Sequence, residues 1–153
     1  MRAVIGVDPG VRGGLALLGW EGHLLHVRAF QPSMTHGELV EAVRVAAFEL
    51  HKLDDKPTAF IEKVGYMPTD GGQGAFTFGR VDGLLRGALL MANCQVRDVM
   101  PLAWQSRMNC PTGGDKNVSK ARAQQLFPRA KITHSVADAL LIARYGWECL
   151  RTI

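Results

Sequence analysis

The chain has 153 residues, 47% of them hydrophobic, and a formal charge of +4 at pH 7. That length and apolar content fit one domain spanning residues 1–153, and nothing calls for a second. Three cysteines, Cys94, Cys110 and Cys149, are odd in number and widely spaced with no C-x-x-C pair, which argues against a disulfide framework and a structural zinc site.

Met1 and Arg2 lead straight into an apolar run without the pattern of a secretory leader, and no apolar stretch is long enough to span a bilayer. The expectation is an intracellular protein, cytoplasmic or nucleoid-associated, with no membrane partner. The positive charge is regional. Between residues 97 and 131, seven basic side chains (Arg97, Arg107, Lys116, Lys120, Arg122, Arg129, Lys131) face only Asp98 and Asp115, a net +5. Such a surface fits a polyanion, because neutralising phosphates releases counterions. A plain solvated basic face would carry the same charge.

Residues 3–8, 13–19 and 23–30 read as three consecutive antiparallel strands, separated by Pro9-Gly10 and by Trp20-Glu21-Gly22. Thr35-His36-Gly37-Glu38 is a capping box, with Met34 and Leu39 placed as its hydrophobic staple. The helix it opens carries Leu39, Val43, Ala46, Leu50 and Leu53 on one stripe and breaks at Asp54-Asp55-Lys56-Pro57. Residues 58–62 form a short strand. The glycine-rich residues 65–74 read as a mobile loop, followed by a helix over 75–93 with Gly79, Gly83 and Gly87 in one row. A fifth strand covers 94–99, a short helix 101–108 and a loop 110–115. Helices over about 117–127 and 135–150 close the chain. This order predicts an α/β fold whose five-stranded sheet begins antiparallel, gains parallel strands through helical crossovers, and is flanked by helices.

Three acidic residues stand out. Asp8 ends an apolar strand before Pro9-Gly10, and Glu62 ends the run Ala59-Phe60-Ile61, so both belong at strand ends, where open sheets place ligands. Asp138 interrupts an otherwise apolar helix face, residues 136–143, and a carboxylate there needs a partner. His134 lies four residues earlier, so a helix that starts early enough projects both from one face. Converging carboxylates suit Mg²⁺ or Mn²⁺. Two such ions about 4 Å apart activate a water and stabilise the leaving oxygen of a phosphodiester. Each residue also has a plainer reading. Asp8 fits turn chemistry, Glu62 fits a surface pair with Lys63 or Arg80, and His134 fits a capping role.

The set resembles the RuvC-type Holliday junction resolvases of the ribonuclease H-like superfamily, above all the short phage and plastid members. The residues that carry the resemblance are Val4-Ile5-Gly6-Val7-Asp8-Pro9-Gly10 with Gly13-Gly14-Leu15-Ala16, Phe60-Ile61-Glu62, and Ala137-Asp138-Ala139-Leu140-Leu141-Ile142-Ala143. Residues 79–89, the Pro101-Leu102-Ala103-Trp104 turn and residues 116–128 extend it over nearly the whole chain.

The resemblance implies a ribonuclease H-like sheet and a homodimer that resolves four-way DNA junctions by paired, Mg²⁺-dependent nicks, as an enzyme of DNA recombination and repair. Asp8, Glu62 and Asp138 would be the metal ligands. The family places a fourth ligand three residues before the last aspartate. This chain has Ser135 there, so His134 is the expected ligand and a water held by Ser135 the alternative. Tyr66 and Met67 would meet an unpaired base at the crossover, and Lys63, Arg107, Lys116, Lys120 and Arg122 would hold phosphates, Lys116 also steadying the scissile group. The helix with the glycine row would be the dimer contact.

A same-fold nuclease acting on flaps, forks or other branched DNA or RNA is the nearest rival. An actin-like phosphotransferase fragment needs a second domain, and the chain has neither a Walker A sequence nor a G-x-G-x-x-G fingerprint. A DNA-binding module that has lost its chemistry is a third reading, against which the intact acidic trio speaks.

Overall fold

The structure, a computed structural model, describes residues 3–65 and 67–152. Five strands form one sheet in the order β3-β2-β1-β4-β5. The antiparallel part is β1 (Val4–Asp8), β2 (Gly14–Leu18) and β3 (Leu24–Ala29). The strands β4 (Thr58–Glu62) and β5 (Gln95–Val99) pair parallel to one another, and β4 pairs parallel to β1. Both parallel joins run through a helix: α1 (His36–His51) leads to β4, and α2 (Gly71–Met91) leads to β5. The helices α3 (Pro101–Arg107), α4 (Lys116–Leu126) and α5 (His134–Arg151) complete the chain. The expected element order and the mixed sheet are both present. Among the described residues no helix is long and apolar enough to cross a membrane.

The sheet separates two cores, and the two-residue alternation of side chains along its strands decides which residue faces which. Ile5, Val7, Leu15, Leu17, Ala59 and Ile61 pack with Leu39, Val43 and Leu50 of α1 and with Val81, Leu85 and Leu89 of α2. Val4, Ala16, Leu18 and Phe60 pack on the opposite side against α5, with Trp104 and Ala123 beside it. The capping box at the start of α1 forms as expected: the Thr35 amide donates to Glu38 Oε2 at 2.7 Å and the Glu38 amide to Thr35 Oγ1 at 3.2 Å. Met34 joins the same core as Leu39, which completes the staple.

Small residues set the height of α5 above the sheet. A methyl at Gly6 of β1 would collide with the Ala139 carbonyl and the Ala143 amide, and one at Gly146 would enter the Phe60 ring. Glycine at these positions lets the α5 backbone lie directly on β1 and β4. Gly14, opposite Asp8 in the β1–β2 register, backs onto the Ser135 carbonyl, 2.9 Å from where a Cβ would stand. The start of α5 is thereby held over the Asp8 end of the sheet.

Two boundaries differ from expectation in ways that bear on function. The glycine-rich segment is not all loop: a single 3-10 turn at Pro68–Asp70 precedes α2, whose first turn begins at Gly71. Glycine's low helix propensity hid that turn, because the apolar periodicity becomes visible only at Ala75. The last helix begins at His134, one residue earlier than its apolar pattern shows. His134 therefore belongs to the same helix as Asp138.

Candidate active site

Asp8 and Glu62 occupy the C-terminal ends of neighbouring parallel strands. The β1–β4 register pairs Val7 with Ile61, and the residues that follow reach one edge of the sheet. By alternation Asp8 shares the face of Val4 and Gly6, and Glu62 that of Phe60, which is the face covered by α5. Asp138 projects from the second turn of α5 toward the same edge. The three carboxylates come from three elements, and each of Asp8 and Glu62 feels the charge of Asp138.

Their environment is costly for negative charge. Asp8 is 8% exposed. Burial pushes its carboxyl above the usual range and Asp138 adds to this, while the Gly10 amide, donating to Asp8 Oδ1 at 3.1 Å, and the Lys116 charge pull it back. The turn reading of Asp8 holds, since its Oδ1 closes the Pro9-Gly10 turn. A Cβ at Gly13 would collide with the Asp8 carbonyl, so this turn is built tightly around the carboxylate.

Glu62 is pushed up to about 7, chiefly by burial and further by Asp8 and Asp138. A hydrogen bond from Trp104 and the charge of Lys116 act the other way. Trp104 Nε1 donates to Glu62 Oε1 at 2.8 Å. Glu62 thus takes neither of the surface partners, Lys63 or Arg80, that sequence allowed. Asp138 Oδ1 is buried and accepts no hydrogen bond among the described residues. An orphaned carboxylate oxygen beside two carboxyls that burial has pushed upward makes this edge one that a cation would relieve. Among the described residues no group of three or more His, Cys, Asp or Glu side chains is arranged so that it could hold a metal ion.

His134 stands one helical turn before Asp138, with Nε2 3.0 Å from Asn117 Oδ1 at the start of α4. That bond ties the two helix N-termini together, and it occupies one ring nitrogen of the expected fourth ligand. Ser135 contributes its carbonyl to the close approach at Gly14. Lys116, the first residue of α4, is exposed, and its charge acts on both Asp8 and Glu62. Asp115 caps this helix by accepting from the Asn117 amide at 2.9 Å.

The remaining expected contacts fall in different places. Lys63 and Met67 are exposed beyond the end of β4, near Glu62 in sequence, and Tyr66 lies outside the described residues. Lys120 lies one turn after Lys116 on α4. Arg122 is turned into the protein, its Nε donating to the Met108 carbonyl at 2.6 Å and its Nη1 to Gln125 Oε1 at 3.1 Å. Arg107 pairs with Glu148 at 3.3 Å. Glu148 lies ten residues beyond Asp138 on α5, roughly 15 Å along the helix. The structure does not bring Arg107 to the carboxylates. Beside the β1–β2 turn, a cleft of about 640 Å³ opens between Val11 and the glycine-rich start of α2, lined by Gly72, Gln73, Thr77 and Phe78.

Sequence reasoning placed Trp104 in a short helix and in the Pro101-Leu102-Ala103-Trp104 turn of the resemblance, and missed its bond to Glu62. A buried indole N–H does signal that some acceptor is near. Which acceptor depends on β5 and α3 folding back beside β4.

The fold is shared with solved structures. Thermus thermophilus RuvC in complex with a Holliday junction substrate superposes with a TM-score of 0.71 at 18% identity, covering 99% of this chain and 96% of that one. The chain has a RuvC-type, ribonuclease H-like fold. A second T. thermophilus RuvC structure matches with a TM-score of 0.67, 20% identity and coverage of 98% and 96%. The yeast mitochondrial Holliday junction resolvase Ydc2 matches at 0.56 and 12% identity, with coverage of 95% and 78%. No family model and no curated protein sequence matches the chain.

Proposed function

We propose that the protein is a Mg²⁺-dependent endodeoxyribonuclease that resolves four-way DNA junctions by paired phosphodiester hydrolysis. The observation that carries this reading is the gathering of Asp8, Glu62 and Asp138 at one sheet edge, with a buried, unbonded oxygen on Asp138. The set is oxygen-rich and anionic, which suits Mg²⁺, with Mn²⁺ able to substitute. Asp8, Glu62 and Asp138 would hold two ions, with His134 released from Asn117 as a fourth ligand or a water on Ser135 in its place. Bound there, the metal supplies an activated water and stabilises the leaving oxygen.

The chain's own residues bind and orient the substrate. Lys116, whose charge reaches Asp8 and Glu62, would steady a phosphate next to the carboxylates, and Lys120 would hold the strand one helical turn further on. Lys63, Met67 and Tyr66 follow Glu62 directly and would meet the branch point. Arg122 and Arg107, expected as phosphate contacts, would have to give up the protein partners they hold.

Junction resolution needs two sites, and we propose a homodimer joined through α2. Among the described residues, positions 79, 83 and 87 have nothing within 4 Å of where a Cβ would stand, and Phe76, Leu90 and Met91 on the same helix are 69%, 62% and 89% exposed. This face is left uncovered by the chain's own helices and would accept a second copy closely.

The test compares nicking of a four-way junction, a fork, a flap and a linear duplex under identical conditions. Symmetric paired cuts confined to the junction support resolution. Equal cutting of flaps or forks would replace it with a broader branched-DNA nuclease.

A further inference from the structure

We infer that Trp104 is a positioning residue for the Glu62 carboxylate, holding one oxygen so that the other is presented to the cation. This rests on the proposed metal-dependent reaction and names a residue that it does not otherwise use.

The geometry begins with β5. Glu62 pairs with Val99, and the Lys63 amide donates to the Val99 carbonyl at 2.8 Å, so β4 and β5 stay joined past the carboxylate. Pro101 starts α3 immediately afterwards, its fixed φ suiting the first helical position. One turn later Trp104 lies 1% exposed in the core that also contains Val99, Met108 and Ala137, and its Nε1 reaches Glu62 Oε1. The ring is held by packing on its apolar surface, so the direction of its N–H is set by the fold and not by the carboxylate.

The chemistry of the donor matters as much as its position. An indole N–H only donates and carries no charge. It can fix a carboxylate oxygen without neutralising it, whereas a lysine or arginine at the same point would compete with a cation for the negative charge. Oε1 accepts from Trp104, and Oε2 has no hydrogen-bond donor among the described residues, which leaves it for a cation. Groups that orient a metal ligand in this way commonly change metal affinity or activity about 10–100-fold when removed.

The experiment places the benzothienyl isostere of tryptophan at position 104. This keeps the bicyclic shape and removes only the N–H. Mn²⁺ binding to the protein without DNA is measured by calorimetry, alongside the Mg²⁺ dependence of junction nicking and the melting temperature. Positioning predicts Mn²⁺ binding weakened about 10–100-fold, nicking that recovers partly at high Mg²⁺, and a nearly unchanged melting temperature.

Equal Mn²⁺ affinity for wild type and isostere overturns the inference. Glu62→Gln distinguishes the levels: if it weakens Mn²⁺ binding while the isostere does not, only the role of Trp104 fails. If Glu62→Gln itself leaves Mn²⁺ binding intact, the metal site fails and the inference with it.

Discussion

Replacing Glu62 by glutamine should stabilise the metal-free protein at alkaline pH while abolishing its activity. The Glu62 carboxyl is raised to about 7 in the folded protein against 4.5 ordinarily. Below pH 4.5 both states are protonated and the folded form bears no penalty. As pH rises to 7 the unfolded chain releases its proton and the folded chain does not, so stability falls, and above 7 the loss is complete. The full difference corresponds to about 3 kcal/mol, which solvent screening on the open side of a half-buried carboxylate reduces to about 2 kcal/mol. Glutamine keeps a carbonyl oxygen to accept from Trp104 and carries no charge, so it removes the penalty and preserves the bond.

In thermal unfolding with EDTA, Glu62→Gln should therefore melt roughly 4–8 °C above wild type at pH 8. At pH 4 the two should differ little. Mg²⁺ should raise the wild-type melting temperature at pH 8 and leave the variant nearly unmoved. A variant no more stable than wild type at pH 8, or equally shifted at both pH values, would refute the argument that unpaired negative charge strains this edge.

Four further substitutions probe other parts of the molecule. Asp138→Asn should lower junction nicking by at least about 100-fold with the fold intact by circular dichroism, as expected when a group that stabilises the reacting charges is lost; unchanged nicking would remove Asp138 from the site. Gly6→Ala should lower stability by about 1–3 kcal/mol or more, because the methyl must push α5 off β1; a melting temperature equal to wild type would contradict the close packing. Lys116→Ala should weaken junction binding and reduce its salt dependence by about one charge with little change in melting temperature. Arg122→Ala should instead cost about 1–3 kcal/mol of stability by leaving the Met108 carbonyl unbonded; the opposite pattern in the two variants would reverse their roles.

Much of this architecture could be read from local pattern. The strand alternation that puts Val4, Gly6 and Asp8 on one face is a two-residue period, and the Thr35–Glu38 box marks the start of α1 without ambiguity. Asp138 was visible as a charge inside an apolar face, which the structure explains by its place at the sheet edge. Less was legible where a residue's role depends on a distant partner. The first turn of α2 is built of glycines, whose lack of side chains erases helical periodicity. The Trp104–Glu62 bond links residues 42 apart and exists only because α3 returns beside β4. Charge alone grouped Arg122 with Lys116, yet the two sit on different sides of α4: one reaches back to Met108, and the other extends its charge over Asp8 and Glu62.

Nicking of a mobile four-way junction by wild type and by Asp8→Asn, each with Mg²⁺ and with EDTA, tests the central claim most directly. Paired cuts by the wild type with Mg²⁺, and none by the wild type in EDTA or by Asp8→Asn under either condition, are the predicted result. Cutting by the wild type in EDTA, or by Asp8→Asn at the wild-type rate, would contradict a metal-dependent site built on the Asp8, Glu62 and Asp138 carboxylates.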